Sequence, residues 1–398
     1  MLFNKVLSSF IREVYEVRKS RLYLSVVLIL PLAMLAFFAM VFYKGTIEEL
    51  PITVVNHDNT PMSRQLCLMI DATRGVEIAY QVQSIAEAER QILSSQSLGI
   101  VYIKRGFEAD IYGGVPTKVE CYLPGTNISA SGVIGRDVEH TVMTFASGIA
   151  LNRLQAMGIG YDEAMVDIMP INIQSNIVGN PYLNYGYYLA PIFMFMGIVI
   201  FIVVATIYAF GRELRYATAS EWITSANGSL LSAVLGKALP ITIVMAIISQ
   251  LAFAILFVIM GMECNGSYLM LTICNILLIL AYQSFAIFIV SLTANLRLDL
   301  SLGGGYAVMA FTFSGITFPV IAMYDIAQWL SKLFPLGYFS DILIDQAVVG
   351  APILYNVNNL LYLSLFLLLV PLVWRRLRRI MTNEIYWSRD RYERRKIK

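Results

Sequence analysis

Hydrophobic residues in this chain fall into long unbroken runs, and the polar stretches between them differ greatly in length. The first run, 22–43, has no charged residue, and 13 of its 22 residues are Leu, Ile, Val or Phe. At about −0.3 to −0.6 kcal/mol each, those residues contribute roughly −4 to −8 kcal/mol toward insertion. A bilayer core about 30 Å thick needs roughly 20 apolar residues per helix. Further runs at 187–210, 230–260, 268–294, 300–323 and 357–374 predict five more spans. Pro31 predicts a kink in the first span, and the long third run is predicted to tilt or to break at Pro240. The first run exceeds a signal-peptide core and no small-residue cleavage site clearly follows, so it reads as a retained anchor.

Ahead of it, residues 1–21 carry Phe3, Val6, Leu7, Phe10, Ile11, Val14 and Val17 on one helical face. Asn4, Lys5, Arg12, Glu13 and Glu16 occupy the other, with Arg12 and Glu16 as an i,i+4 pair. This predicts a cytoplasmic amphipathic helix at the membrane interface, its basic residues toward lipid headgroups.

The polar section 44–185 alternates short strands (52–55, 76–82, 98–103 and 119–123) with helices at 63–70 and 84–94. Ser84 followed by Glu87 is a capping-box start. A longer helix is predicted over 133–157 and another strand over 171–178, and Asn180-Pro181 marks the return to the membrane. Residues 324–355, with Asp325, Lys332, Asp341 and Asp345, read as an amphipathic hairpin in the outer leaflet. The fold class expected is an α-helical polytopic membrane protein of six transmembrane helices with an inserted α/β extracytoplasmic domain.

Composition agrees: of 398 residues 58% are hydrophobic and 14% charged, which excludes a purely soluble protein. The net charge of +2 hides an asymmetry. Residues 1–21 hold five Lys/Arg against two Glu, and the tail from 374 holds ten against three acids. Section 44–185 holds nine bases against fifteen acids. The positive-inside rule therefore places both termini, including the basic tail 375–398, in the cytoplasm. An even number of spans agrees with that.

Catalytic chemistry is missing from the pattern. No phosphate-binding G-x-x-x-x-G-K-[ST] loop, G-x-S-x-G elbow or H-E-x-x-H helix occurs, so no enzyme activity is expected of this chain. The four cysteines lack paired spacing and His57 and His140 are far apart, so no metal site is expected. Cys67 and Cys121 could pair in an oxidising compartment, or stand as two separate buried thiols. Gly303-Gly304-Gly305 lies in an apolar run, where glycines permit close helix packing. The polar residues within the spans, Gln250, Asn275 and Gln283, do not titrate, and Lys237 is near enough to a span end to snorkel. A carrier without an internal ion relay takes its energy from elsewhere.

Several stretches together resemble the permease subunits of ATP-binding-cassette (ABC) exporters of the second permease type. The order is one span, a large outward domain, then five spans. Asn56-His57-Asp58-Asn59-Thr60-Pro61-Met62-Ser63-Arg64 is similar to the family's acidic, Ser-Arg-containing segment. The polar turn 211–229, with Arg212, Glu213, Arg215, Thr218, Glu221 and Trp222, resembles the family's ATPase-coupling loop. Ser314-Gly315-Ile316-Thr317-Phe318-Pro319, with Trp329 and Pro335-Leu336-Gly337-Tyr338-Phe339, matches its outer-leaflet hairpin. Arg215 and Ala226 depart from the Glu and Pro that many members carry.

The resemblance implies two permeases, as a homodimer or heterodimer, with cytoplasmic ABC ATPase subunits that bind ATP and Mg, leaving this chain without a cofactor. It implies a multi-pass plasma (bacterial inner) membrane protein moving an amphipathic or apolar cargo outward. Arg212 and Arg215 would meet ATPase acids and Trp222 an apolar groove. Phe193, Phe195, Met196, Phe311, Phe313 and Phe318 would line the path, the alternative being that they face lipid or a neighbouring helix. Membrane lipid and a periplasmic adaptor are further partners in view; nucleic acid is not. The alternatives are an ATP-independent carrier and a non-transporting scaffold or receptor whose outward domain binds a partner.

Overall fold

The computed structural model describes residues 2–171, 179–180 and 184–387. Two compact units emerge, Met1–Gly45 with Val178–Lys398, and Thr46–Ile177. In the first unit, α1 (Leu2–Lys19) ends at Ser20, whose hydroxyl accepts the Tyr23 amide at 3.3 Å and starts α2 (Arg21–Val41). The turn widens to π geometry over Ser25–Ile29, just ahead of Pro31, which has no N–H to return to the preceding turn. The helix continues through Pro31, with this widened turn ahead of the position where a kink is expected.

Thr46–Ile177 contains β1 (Leu50–Asn56), α3 (Pro61–Asp71), β2 (Val76–Val82), α4 (Ile85–Leu93), β3 (Ile100–Ile103), α5 (Phe107–Gly113), β4 (Val119–Tyr122), α6 (Ile128–Ala156) and α7 (Tyr161–Ile168). The sheet order is β2-β1-β3-β4; β1 pairs parallel with β2 and β3, and β4 runs antiparallel to β3. From β1 the chain moves to one side for β2 and then crosses to the other for β3. Right-handed crossovers therefore put α3 and α4 on opposite faces. One core joins Ile52, Val54 and Val101 to Leu66, Ile70, Ile134 and Val138, and the other joins Val55 and Ile100 to Ala88. Ser84 caps α4 by accepting the Glu87 amide at 3.2 Å. Cys67 is buried and Cys121 exposed, and both are free thiols. The strand expected at 171–178 falls, beyond Ile171, outside the described residues.

The chain continues as α8 (Tyr185–Arg215), α9 (Ala219–Ser225), α10 (Leu230–Ile259), α11 (Tyr268–Thr293), α12 (Leu296–Thr312), α13 (Asp325–Ser331), α14 (Pro335–Leu343) and α15 (Ile353–Thr382). Among the described residues α2, α8, α10, α11 and α15 are long and apolar enough to cross a membrane. The expected span 300–323 is corrected: α12 has 17 residues and stops at Thr312. Gly315 then takes φ +86°, open to glycine and strained for other residues, and Pro319 leads into a short turn at Val320–Ala322. The break expected at Pro240 is also corrected, since α10 runs through it. Thr242 Oγ1 and Gln283 Nε2 both donate to the Ala238 carbonyl there, at 3.0 and 3.2 Å, supporting the disturbed turn. The buried residues of α8 and α11 make the centre of the bundle, whereas α2 and α15 expose most of their apolar surface. Gly303 lets α12 approach α8: a Cβ there would lie 2.3 Å from Ile207 Cδ1, while Gly304 and Gly305 face open space.

Candidate functional site: a buried ionic cluster behind the polar turn

The polar turn is mostly structured. α8 continues to Arg215, Ala217 takes φ +55°, and the Thr218 amide donates back to the Glu213 carbonyl at 3.0 Å. α9 follows, and Asn227 and Gly228, both at positive φ, turn the chain into α10, which Ser229 caps. A carboxylate in the last turn of α8 opposes the helix dipole, so Glu213 needs cations close by.

Those cations come from two other helices. Arg12 grips Glu213 with both terminal guanidinium nitrogens, at 2.8 and 3.1 Å. Lys237 of α10 donates to Glu213 Oε1 at 2.7 Å and to Glu13 Oε2 at 2.5 Å. Tyr23 donates to Glu13 at 2.6 Å, Thr218 to Glu213 at 2.5 Å, and Arg212 pairs with Glu16. Arg212 also stands 5.6 Å from the centre of the Tyr23 ring. Three bases (Arg12, Arg212, Lys237) thus meet three acids (Glu13, Glu16, Glu213), and the cluster is neutral. Glu213, Lys237 and Tyr23 are wholly buried and Glu13 nearly so. Burial alone would ease the proton off the Arg12 guanidinium, but Glu213, Glu13 and Glu16 outweigh it and raise the pKa above the ordinary value.

Trp222 closes the cluster from α9. Its indole N–H donates to Ser9 Oγ at 3.2 Å, and Ser9 in turn donates to the Ala233 carbonyl at 3.0 Å. Lys237 Nζ lies 5.1 Å from the indole centre, and Phe210 packs edge-on at 5.6 Å. Gly236 allows the approach: a Cβ there would sit 2.4 Å from the Val6 carbonyl oxygen.

Three sequence readings are corrected by this arrangement. The polar side of α1 (Ser9, Arg12, Glu13, Glu16) faces the protein, and the apolar stripe Phe3, Leu7, Ile11 and Tyr15 is left exposed. Arg12 and Glu16 pair with different residues of α8 and not with each other. Lys237 does not snorkel, because two carboxylates reach it in the interior. Of the expected ATPase contacts, Arg212, Glu213 and Trp222 turn inward and Thr218 bonds to Glu213, whereas Arg215 is half-buried and Glu221 exposed. Glu13 and Lys237 were the functional candidates that local reading passed over. The signal for Lys237 was its place inside an apolar run, where a charge requires a buried partner.

Among the candidate path residues, Phe193 and Phe311 come together with ring centres 4.9 Å apart, and Phe193 also meets Phe38 of α2 and Phe42, the residue just beyond it. Met196 is half-buried. Phe195 is wholly buried between Phe253 and Phe339 at 4.8 and 4.7 Å. Residues two apart on a helix point about 200° apart, so Phe193 and Phe195 cannot share a face. Phe313 stacks on Phe334 at 5.2 Å, and Phe318 is exposed.

A bundle of apolar helices long enough to cross a membrane, held at one end by a buried ionic cluster, defines a multi-pass helical membrane protein. Residues 21–374 match the family model described as ABC-2 family transporter protein, and the chain belongs to that family. Membership makes it the membrane component of an ABC transporter, a class that works with an ATPase partner. Comparison with curated proteins returns no match.

Proposed function

We propose that this chain is the permease subunit of an ATP-driven exporter that moves an amphipathic or apolar cargo outward, as one half of a permease dimer. Both termini lie in the cytoplasm of a cell with this protein in its plasma (bacterial inner) membrane, and residues 44–185 lie outside. The basic ends support that orientation, and α12 supplies the sixth crossing: 17 residues rise about 25 Å, at the short end of what a bilayer core accepts. The ATPase, with its ATP and Mg, docks on the outer surface of the polar turn around Arg215 and Glu221. Arg212, Glu213, Thr218 and Trp222 act one layer behind. Phe193, Met196, Phe311, Phe313 and Phe318 remain candidates for the path, and Phe195 serves the core of the bundle.

The ionic cluster is the observation that carries this reading. It clamps α1, the end of α8 and the start of α10 into one polar block. A push on the turn therefore moves three helices together, one of which lies along the exposed apolar stripe that suits lipid acyl chains. Inside-out vesicles containing the chain and its ATPase test the reading. Transport without nucleotide, or ATP hydrolysis that never drives cargo movement in the unaltered complex, would refute it.

A further inference from the structure

A cavity of about 420 Å³ lies where the segment after α12 meets α13 and α14. Phe313, Ile316, Pro319 and Val320 give it an apolar wall, and Tyr188 and Tyr338 add aromatic surface. Its volume falls within the range of small-molecule sites. Most of its polar groups are already engaged. The Tyr188 hydroxyl donates to the Ile316 carbonyl and the Tyr338 hydroxyl to the Lys332 carbonyl at 3.0 Å. Gln328 donates to the Met323 carbonyl at 2.9 Å, and Ser331 to the Gln328 carbonyl at 2.8 Å. The Lys332 ammonium stands 4.0 Å from the centre of the Trp329 ring, which lies outside the lining.

Asp341 is the exception. Its carboxylate lines the cavity and has neither a hydrogen bond nor an ion pair among the described residues. Asp345, one turn further along, adds a second negative charge. The protein packed around the cleft and that neighbour push the Asp341 carboxyl up to about 6, although the carboxylate stays open to the cavity.

We propose that this cavity binds a lipophilic organic cation, with Asp341 as counter-ion and the aromatic and aliphatic wall holding its apolar body. An unpaired carboxylate on a cavity wall is stabilised by any cation that reaches it. Tyrosine and phenylalanine rings at the same site add attraction for positive charge. An anion of the same shape would be repelled by Asp341, and the ammonium of Lys332, the lysine of the lining, is held against the Trp329 ring. The site lies within one subunit and needs neither nucleotide nor ATPase, so a binding result and a transport result are separate.

Tetraphenylphosphonium is a suitable probe, and tetraphenylborate is its anionic counterpart. Equilibrium dialysis against the full chain in lipid nanodiscs, corrected with empty nanodiscs, should show saturable binding of the cation only. Asp341→Asn should weaken it at least tenfold and Asp341→Glu should restore most of it. Gly337→Leu should block the cavity without changing charge, because a Cβ at that position meets nothing closer than 3.8 Å and the rest of the side chain can enter the space. Undiminished cation binding in Asp341→Asn and Gly337→Leu overturns the proposal. Equal saturable binding of the anion overturns it as well, and that comparison needs no variant.

Discussion

The Lys237 ammonium and the Glu13 carboxylate meet at 2.5 Å, 224 positions apart in the chain, with almost no solvent at either. The pair joins the helix preceding the first span to the helix following the polar turn. In a medium of low dielectric such a pair offsets its desolvation only when every remaining donor and acceptor is engaged. Here Tyr23 engages Glu13, and Glu213, itself held by Arg12, engages Lys237, while Nε and Nη1 of Arg212 in the same cluster have no hydrogen-bond partner among the described residues.

Breaking the pair from one side should therefore be severe. Glu13→Gln or Lys237→Met alone is expected to lower stability by about 3–5 kcal/mol, because each leaves a buried charge short of a partner. The double variant should lose less than the sum of the two. Thermal unfolding of the purified chain in one detergent provides the cycle, and strict additivity would show that the two groups are not coupled.

Trp222 and Glu221 are neighbours in sequence with opposite expected phenotypes. Trp222→Ala should destabilise the chain by about 3–5 kcal/mol through lost packing. Trp222→Phe should lose about 1 kcal/mol with the Ser9 hydrogen bond. Arg215→Glu with Glu221→Arg should fold normally and reduce copurification of the ATPase. A Trp222→Ala chain as stable as the parent would contradict the buried placement.

Gly236 and Gly304 separate close approach from helix propensity. Gly236→Ala sets a methyl against the α1 backbone and should cost about 1–3 kcal/mol, while loosening α1 enough for protease to cut it. Gly304→Ala meets open space and should gain about 0.5–1 kcal/mol from the helix. Melting temperatures of the two variants with opposite signs are the expected result.

Asp58 has a structural task that the similarity of 56–64 to a family segment did not reveal. Its carboxylate accepts the Gly106 and Glu108 amides at 2.8 and 3.1 Å and the Thr60 hydroxyl at 2.5 Å, tying β1 to the start of α5. Slight burial works against its charge, yet these hydrogen bonds prevail and lower its pKa below the ordinary carboxylate value. A depressed folded-state pKa gives stability that is present above the unfolded value and lost as pH falls through the folded one. The protection factors of the Gly106 and Glu108 amides, each referred to intrinsic exchange at the same pH, should be large at neutral pH and fall as pH drops below about 4, near the unfolded aspartate value. Asp58→Ala should remove that protection at every pH and cost about 1–3 kcal/mol.

Much of the architecture could be read locally. The run at 22–43 carries its own insertion energy, the segment expected as a strand at 76–82 forms one, and Ser84 caps the helix it precedes. Each of these follows from residues within a few positions of one another. The length of α12 escaped, because hydropathy does not register a glycine taking φ +86° inside an apolar run.

The sequence by itself determined five apolar runs long enough to cross a membrane, and it placed the strands at 52–55, 76–82, 98–103 and 119–123 to within a few residues. Only the tertiary structure decided which way α1 faces, where Lys237 finds its counter-charges, and that Trp222 points into the protein. Hydropathy and periodicity are properties of neighbouring positions, whereas the stability of a buried charge depends on groups that folding brings from hundreds of residues away.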